Sequence, residues 1–159
     1  MPSPPSVRVV GCGHPDVGDD ALGLLAVRIA RPALGPGVDV IEIATADRLV
    51  DLLASDGDVI VVDAVRTSSG TVPAGTLVRE VASDEAFAIP GTSMSSHGLG
   101  IADAVRLAAA LGPVPRVVFL GVEAERVAIG EGLSPAVERA LPALVAAIVA
   151  EAADAGSAA

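Results

Sequence analysis

A largely parallel sheet of five strands, sandwiched between helix layers, is the fold this sequence predicts. Two observations carry that expectation. Val- and Ile-rich apolar runs alternate with longer helical patterns, and the run Val59-Ile60-Val61-Val62 is apolar throughout, as a strand covered on both faces must be. Taken in order, Val7–Cys12 reads as a buried strand, and residues 19–31 as a helix with Leu22, Leu25 and Ile29 on one face. Pro32, Gly35, Pro36 and Gly37 then break the chain. Residues 38–44 alternate in and out as a second strand, residues 47–54 form a short helix, and residues 59–64 form the third strand. Residues 67–75 are a loop and 76–82 a half-exposed edge strand. Residues 83–96, which include Pro90 and Gly91, form a long irregular segment. Ser95 or Ser96 caps a helix that reaches about Leu111, and residues 116–122 form the fifth strand. Ser134-Pro135 supplies a cap and first residue for a last helix, with Glu138 near its first turn. The pattern is β-α-β-α-β-β-α-β-α. It shows no repeat and no linker, so one domain is expected over residues 1–159, with 1–6 and 155–159 flexible.

Composition narrows the function classes. The chain has 159 residues, 52% of them hydrophobic, enough for a real core. Phe87 and Phe119 are its only aromatics, which removes the stacking platforms that single-stranded nucleic-acid binders use. Its net charge of -10 argues against nucleic-acid and anionic-membrane roles. That charge is compatible with a metal centre or a basic peptide as partner, besides serving solubility. The one cysteine, Cys12, has no internal disulfide partner and fits a reducing cytosol. The N-terminal residues lack the basic-then-apolar pattern of a secretory signal. The longest apolar stretch, residues 141–153, is too short to span a bilayer and carries Glu151. A cytoplasmic protein is the expectation.

In open α/β sheets, ligands bind beyond the carboxyl ends of the strands, near a topological switch. Residues 11–20, 63–66 and 121–125 leave strands there, and the loop before the helix at His97 reaches the same edge. The first segment reads Gly11-Cys12-Gly13-His14-Pro15-Asp16-Val17-Gly18-Asp19-Asp20. A dinucleotide fingerprint needs glycine where Asp16 stands, and an acid there repels a pyrophosphate. A P-loop is excluded because the chain has no lysine. Asp19 is read as the N-cap of the first helix. Asp20 shares that helix-start explanation and is singled out by its expected neighbours. Asp63 ends an apolar run, so it is either solvated, paired or ligating, or a turn former bonded to loop amides. His97 follows two serines at a helix start, where the dipole favours the neutral ring a metal requires; a capping or solvated histidine is the alternative. His14 could add a polar contact from the first loop. Two carboxylates and one imidazole, Asp20, Asp63 and His97, suit a borderline divalent ion, with nickel and zinc both open. There is no His-Glu-x-x-His, no clustered cysteine pair, no Gly-x-Ser-x-Gly elbow and no Asp-Thr/Ser-Gly signature of pepsin-like proteases.

The stretch Gly11-x-Gly13-x-Pro15-x-x-Gly18-Asp19-Asp20-x-x-Gly23 resembles the opening motif of the hydrogenase maturation proteases, endopeptidases that trim the large subunit of nickel-iron hydrogenases. Val61-Val62-Asp63-Ala64 is similar to their second motif, and Ser96-His97-Gly98-Leu99-Gly100-Ile101-Ala102-Asp103 to their third. Gly121-Val122-Glu123 and Gly132-Leu133-Ser134-Pro135-Ala136-Val137 match later landmarks in order. The resemblance implies a three-layer sandwich with a twisted, mostly parallel five-stranded sheet between helices. It implies that Asp20, Asp63 and His97 are both the catalytic and the metal-contacting residues of an aspartyl endopeptidase-like site. The implied metal is nickel carried by the hydrogenase large-subunit precursor, with no organic cofactor, and cleavage removes the precursor's C-terminal tail. Two departures stand out: the family usually has Asn where this chain has His14, and Ile43-Ala44-Thr45-Ala46 keeps the threonine of a Gly-Gly-Thr turn without its glycines. The alternatives are a hydrolase of related fold with another substrate, and a non-catalytic nickel-sensing or chaperone-like binder of the precursor.

Overall fold

In the computed structural model, residues 5–67, 70–82, 92–93 and 100–157 are described. Strands β1 (Val7–Cys12), β2 (Val38–Ile43), β3 (Asp58–Arg66), β4 (Leu77–Val81), β5 (Thr92–Ser93) and β6 (Val117–Glu123) form one sheet. Its main path runs β2-β1-β3-β6-β4. The pairs β1–β2, β1–β3 and β3–β6 are parallel, and β4 joins β6 antiparallel at one edge. This is the expected mostly parallel five-stranded sheet. The two-residue β5 is an addition, paired antiparallel to Val65 and Arg66 inside the segment expected to be irregular.

Helices α1 (Leu22–Ala30), α2 (Asp47–Leu52), α3 (Ile101–Leu111) and α4 (Pro135–Ser157) divide between the two faces of the sheet. Strand alternation decides which residues meet which helices. Val7, Val9, Ile60, Val62, Val118 and Leu120 pack against α1 and α4 through Leu22, Val27, Leu144 and Ile148. Val10, Cys12, Val59, Val61, Val117 and Phe119 pack against α2 and α3 through Leu49, Ile101 and Val105. The central strands β1 and β6 are buried along their whole length, whereas the edge strand β4 alternates between exposed and half-buried. An ion pair from Arg79 of β4 to the buried Glu151 fastens α4 over that edge.

Two expectations about the first helix are corrected. The chain enters α1 through a 3₁₀ turn, Gly18–Ala21, and Val17 rather than Asp19 occupies the N-cap position of that turn. Helix α1 is apolar at most of its positions, so its sequence period does not by itself fix which face turns inward. Leu22 is fully buried, but Ile29 is 53% exposed, and Gly23, Leu24, Ala26, Val27 and Ala30 complete the inner face. Ser6 donates from its backbone N to Gly37 and accepts from Asp58, while α4 continues to Ser157 with Ala155 buried. Helix α3 starts at Ile101 with Gly100 as N-cap; the expected caps Ser95 and Ser96 lie outside the described residues.

Two glycines let α1 lie directly on the sheet. A Cβ on Gly23 would stand 2.3 Å from the Cys12 carbonyl oxygen and 2.4 Å from that of Val62, and one on Gly11 would stand 2.6 Å from the Gly23 oxygen. These neighbours are backbone and cannot swing aside. Gly23→Ala is therefore expected to lose about 3 kcal/mol in urea unfolding; an unchanged midpoint would show that α1 can lift away freely.

Candidate functional site: a paired-carboxylate cleft

The sheet order places β2 on one side of β1 and β3 on the other, so the carboxyl ends of β1 and β3 flank a topological switch. Asp63 lies inside β3, opposite Gly121 of β6, rather than at the strand's end. Alternation puts it on the face of Val61 and Val65, beside Cys12 on the next strand. Asp20 enters from the 3₁₀ turn that follows the β1 loop. Both carboxylates are buried, Asp20 at 4% and Asp63 at 2% exposure.

The two carboxylates lie close enough for the charge of one to act on the other. Burial raises the Asp63 pKa well above the ordinary carboxylate value, and the Asp20 charge raises it further; the Ala64 N–H, which donates to Asp63 Oδ1 at 2.8 Å, works in the opposite direction. The Cys12 thiol is pushed up by burial, then by Asp63 and Asp20. Cys12 thus stays a neutral thiol beneath the acids, not a nucleophile. Asp20 Oδ2 accepts from the backbone N of His14 at 3.1 Å and lies 2.8 Å from His14 Nδ1. The pair is therefore an electron-rich, partly desolvated acceptor, suited to a cation or to the proton of a bound water.

His97, the third expected member, lies outside the described residues. Among the described residues, no three His, Cys, Asp or Glu side chains converge to hold a metal ion. The structure thus brings two of the three expected residues together.

Asp19 has a different part from its neighbour. It is fully buried, and its carboxylate accepts from the backbone N–H groups of Glu125 (2.9 Å), Arg126 (3.0 Å) and Ser134 (2.7 Å) and from the Ser134 hydroxyl (2.9 Å). It ties the β1 loop to the segment joining β6 and α4. The doublet Asp19-Asp20 thus splits, with one acid holding the scaffold and the next facing the cleft. Glu123, buried at 3% exposure, acts likewise at the β3–β6 boundary, accepting from Thr67 N at 2.9 Å. Sequence reasoning marked Glu123 only as a landmark and Ser134 as a landmark and helix cap, and did not connect either to its partner here. The available signal was an acid ending an otherwise apolar strand and a serine before a helix-starting proline. The glycine-free turn at 43–46 still closes, with Ala46 buried at the N-cap of α2.

An α/β protein with a buried pair of carboxylates at its switch point is the class that fold and site define. Residues 25–151 match the family described as hydrogenase maturation protease, HycI, and the chain belongs to that family. That span contains Asp63 and His97; Asp20 and the opening motif precede it. Among solved structures, the hydrogenase maturating endopeptidase HybD from E. coli is similar at 21% identity and a TM-score of 0.77, covering 94% of this chain and 93% of that one. The [NiFe] hydrogenase maturation protease HybD from Thermococcus kodakarensis is similar at 23% identity and a TM-score of 0.72, covering 92% and 98%. An E. coli endopeptidase solved in solution gives 23% identity and a TM-score of 0.76, covering 91% and 90%. These likenesses establish the shared fold. No curated protein sequence matches significantly. Among the described residues, no helix is long and apolar enough to cross a membrane.

Proposed function

We propose that this chain is an endopeptidase that removes the C-terminal tail of a nickel-loaded hydrogenase large-subunit precursor and recognises the nickel the precursor carries. The observation that carries this reading is the buried Asp20–Asp63 pair at the β1/β3 switch. Two desolvated acids raise each other's energy, and a divalent ion delivered by a partner relieves that repulsion. The sequence offers His97 as a third donor, and two oxygens with one nitrogen would suit nickel already held by the precursor's thiolates. A precursor without nickel lacks the bridging charge, so the same acids act as a check on loading. The raised Asp63 pKa brings that carboxylate toward the range where it can take a proton from an attacking water, and Asp20 holds the second charge beside it.

The test is incubation of the purified chain with nickel-loaded and nickel-free precursor, following the tail by mass spectrometry. Cleavage only of the loaded precursor is expected, with loss of cleavage in His97→Ala. Nickel-dependent complex formation without cleavage would replace this reading with a non-catalytic binder. Nickel-independent cleavage of generic peptides would replace it with a different peptidase.

A further inference from the structure

Among the described residues, the Asp20 carboxylate is held by His14 through two donors. Both the backbone N–H and the ring Nδ1 of His14 reach Oδ2, and Oδ1 receives neither bond. A carboxylate oxygen accepts, so His14 acts as the donor in this contact when its ring carries the proton at Nδ1. The loop that returns His14 to Asp20 is pre-set. Gly13 sits at φ 145°, where a Cβ would lie 1.9 Å from the Asp20 carbonyl oxygen, and Asp16 is a non-glycine residue at φ 62°. Its two flanks are pinned: Gly13 N donates to the Ile43 carbonyl at 3.1 Å, and the Asp16 carbonyl accepts from Gly130 N at 2.7 Å. The ring is therefore delivered by a fixed backbone. It is also no ordinary surface ion pair, since the His14 side chain is 48% exposed but that of Asp20 only 6%.

The geometry points to His14 as a positioning residue for Asp20: its two N–H groups pin Oδ2, set the plane of the carboxylate and leave Oδ1 as the oxygen offered to a substrate-borne cation or a bound water. This deepens the processing function proposed above and rests on it. Hydrogen bonds that orient a ligating or reacting carboxylate typically govern activity by about 10–100-fold.

Two variants of the full chain test it. The amide nitrogen of His14→Asn stands at the same branch of the side chain as Nδ1 and can donate to Oδ2, whereas His14→Ala keeps only the backbone donor. With nickel-loaded precursor, His14→Ala is expected to lower kcat/KM about 10–100-fold with the melting temperature unchanged, and His14→Asn to stay within about threefold of the original chain. Equal losses in both variants, or none in either, would overturn the proposal. A substrate-free arm decides the contact itself. In 15N-histidine-labelled protein, two-bond proton–nitrogen correlations should show His14 protonated at Nδ1; a ring protonated at Nε2 alone would overturn the proposal. If the original chain cuts no precursor, the processing reading fails, while the tautomer still reports whether His14 holds Asp20.

Discussion

Asp63→Asn should lower precursor cleavage by roughly 10²–10⁴-fold, the range for removing a general acid or base, while raising the melting temperature at neutral pH. The two effects share one cause. Asp63 is buried beside Asp20, and its folded-state pKa stands well above the ordinary value of 3.8 that it regains on unfolding. Between those two values the native state binds the extra proton, so stability falls as pH rises from about 4 upward. The neutral amide removes both the charge and the slope. Thermal melts of the original chain and the variant between about pH 4 and 8 should therefore diverge as pH rises, with the variant the more stable at neutral pH. Parallel pH profiles would mean that Asp63 is not carrying a desolvated charge, and undiminished cleavage would remove it from the reaction. That divergence would support the proposed check on nickel loading, in which a cation brought by the partner offsets the cost of the buried charge.

How much of this was legible in the sequence depends on the range of the forces involved. The strands β1, β2, β3, β4 and β6 could be read from local apolar patterning, and each expected boundary falls within about two residues of the observed one. The inner face of α1 could not, because Leu22, Leu24, Leu25, Ala26, Val27, Ile29 and Ala30 leave more than one apolar stripe to choose from, and the close approach of Gly23 to the Cys12 and Val62 carbonyls selects the one that is buried. Strand β5 is two residues long and exists only through pairing with Val65 and Arg66, so no local pattern announces it. Asp20 and Asp63 were legible as a pair because strand order alone puts the ends of β1 and β3 together. The bond from His14 to Asp20 was not, since it depends on the backbone angles of Gly13 and Asp16. Asp19 was misread as a cap for a related reason: its partners at Glu125, Arg126 and Ser134 are more than 100 residues away.

Those distant partners fix the second large effect. As a helix cap, Asp19 would contribute about 1 kcal/mol. As found, it is fully buried and satisfies three backbone N–H groups and one hydroxyl. Asp19→Ala removes every acceptor at once and leaves those donors with nothing to replace it, so a loss of about 3–5 kcal/mol is expected. Asp19→Asn does not restore the site. Oδ1 takes the Ser134 N–H while Oδ2 takes the other three donors, so whichever way the amide turns, its NH₂ faces an N–H. Ser134→Ala deletes only a rotatable hydroxyl and should cost about 1 kcal/mol. In urea unfolding, Asp19→Ala should lose the most stability, Asp19→Asn less and Ser134→Ala the least. The Asp19→Ala/Ser134→Ala double variant should lose less than the sum, because the hydroxyl has no acceptor left to give up. A loss near 1 kcal/mol for Asp19→Ala would return it to the role of a cap. The expected larger loss would make it the tie that holds the β1 loop, and with it Asp20, in register with the carboxyl end of β6.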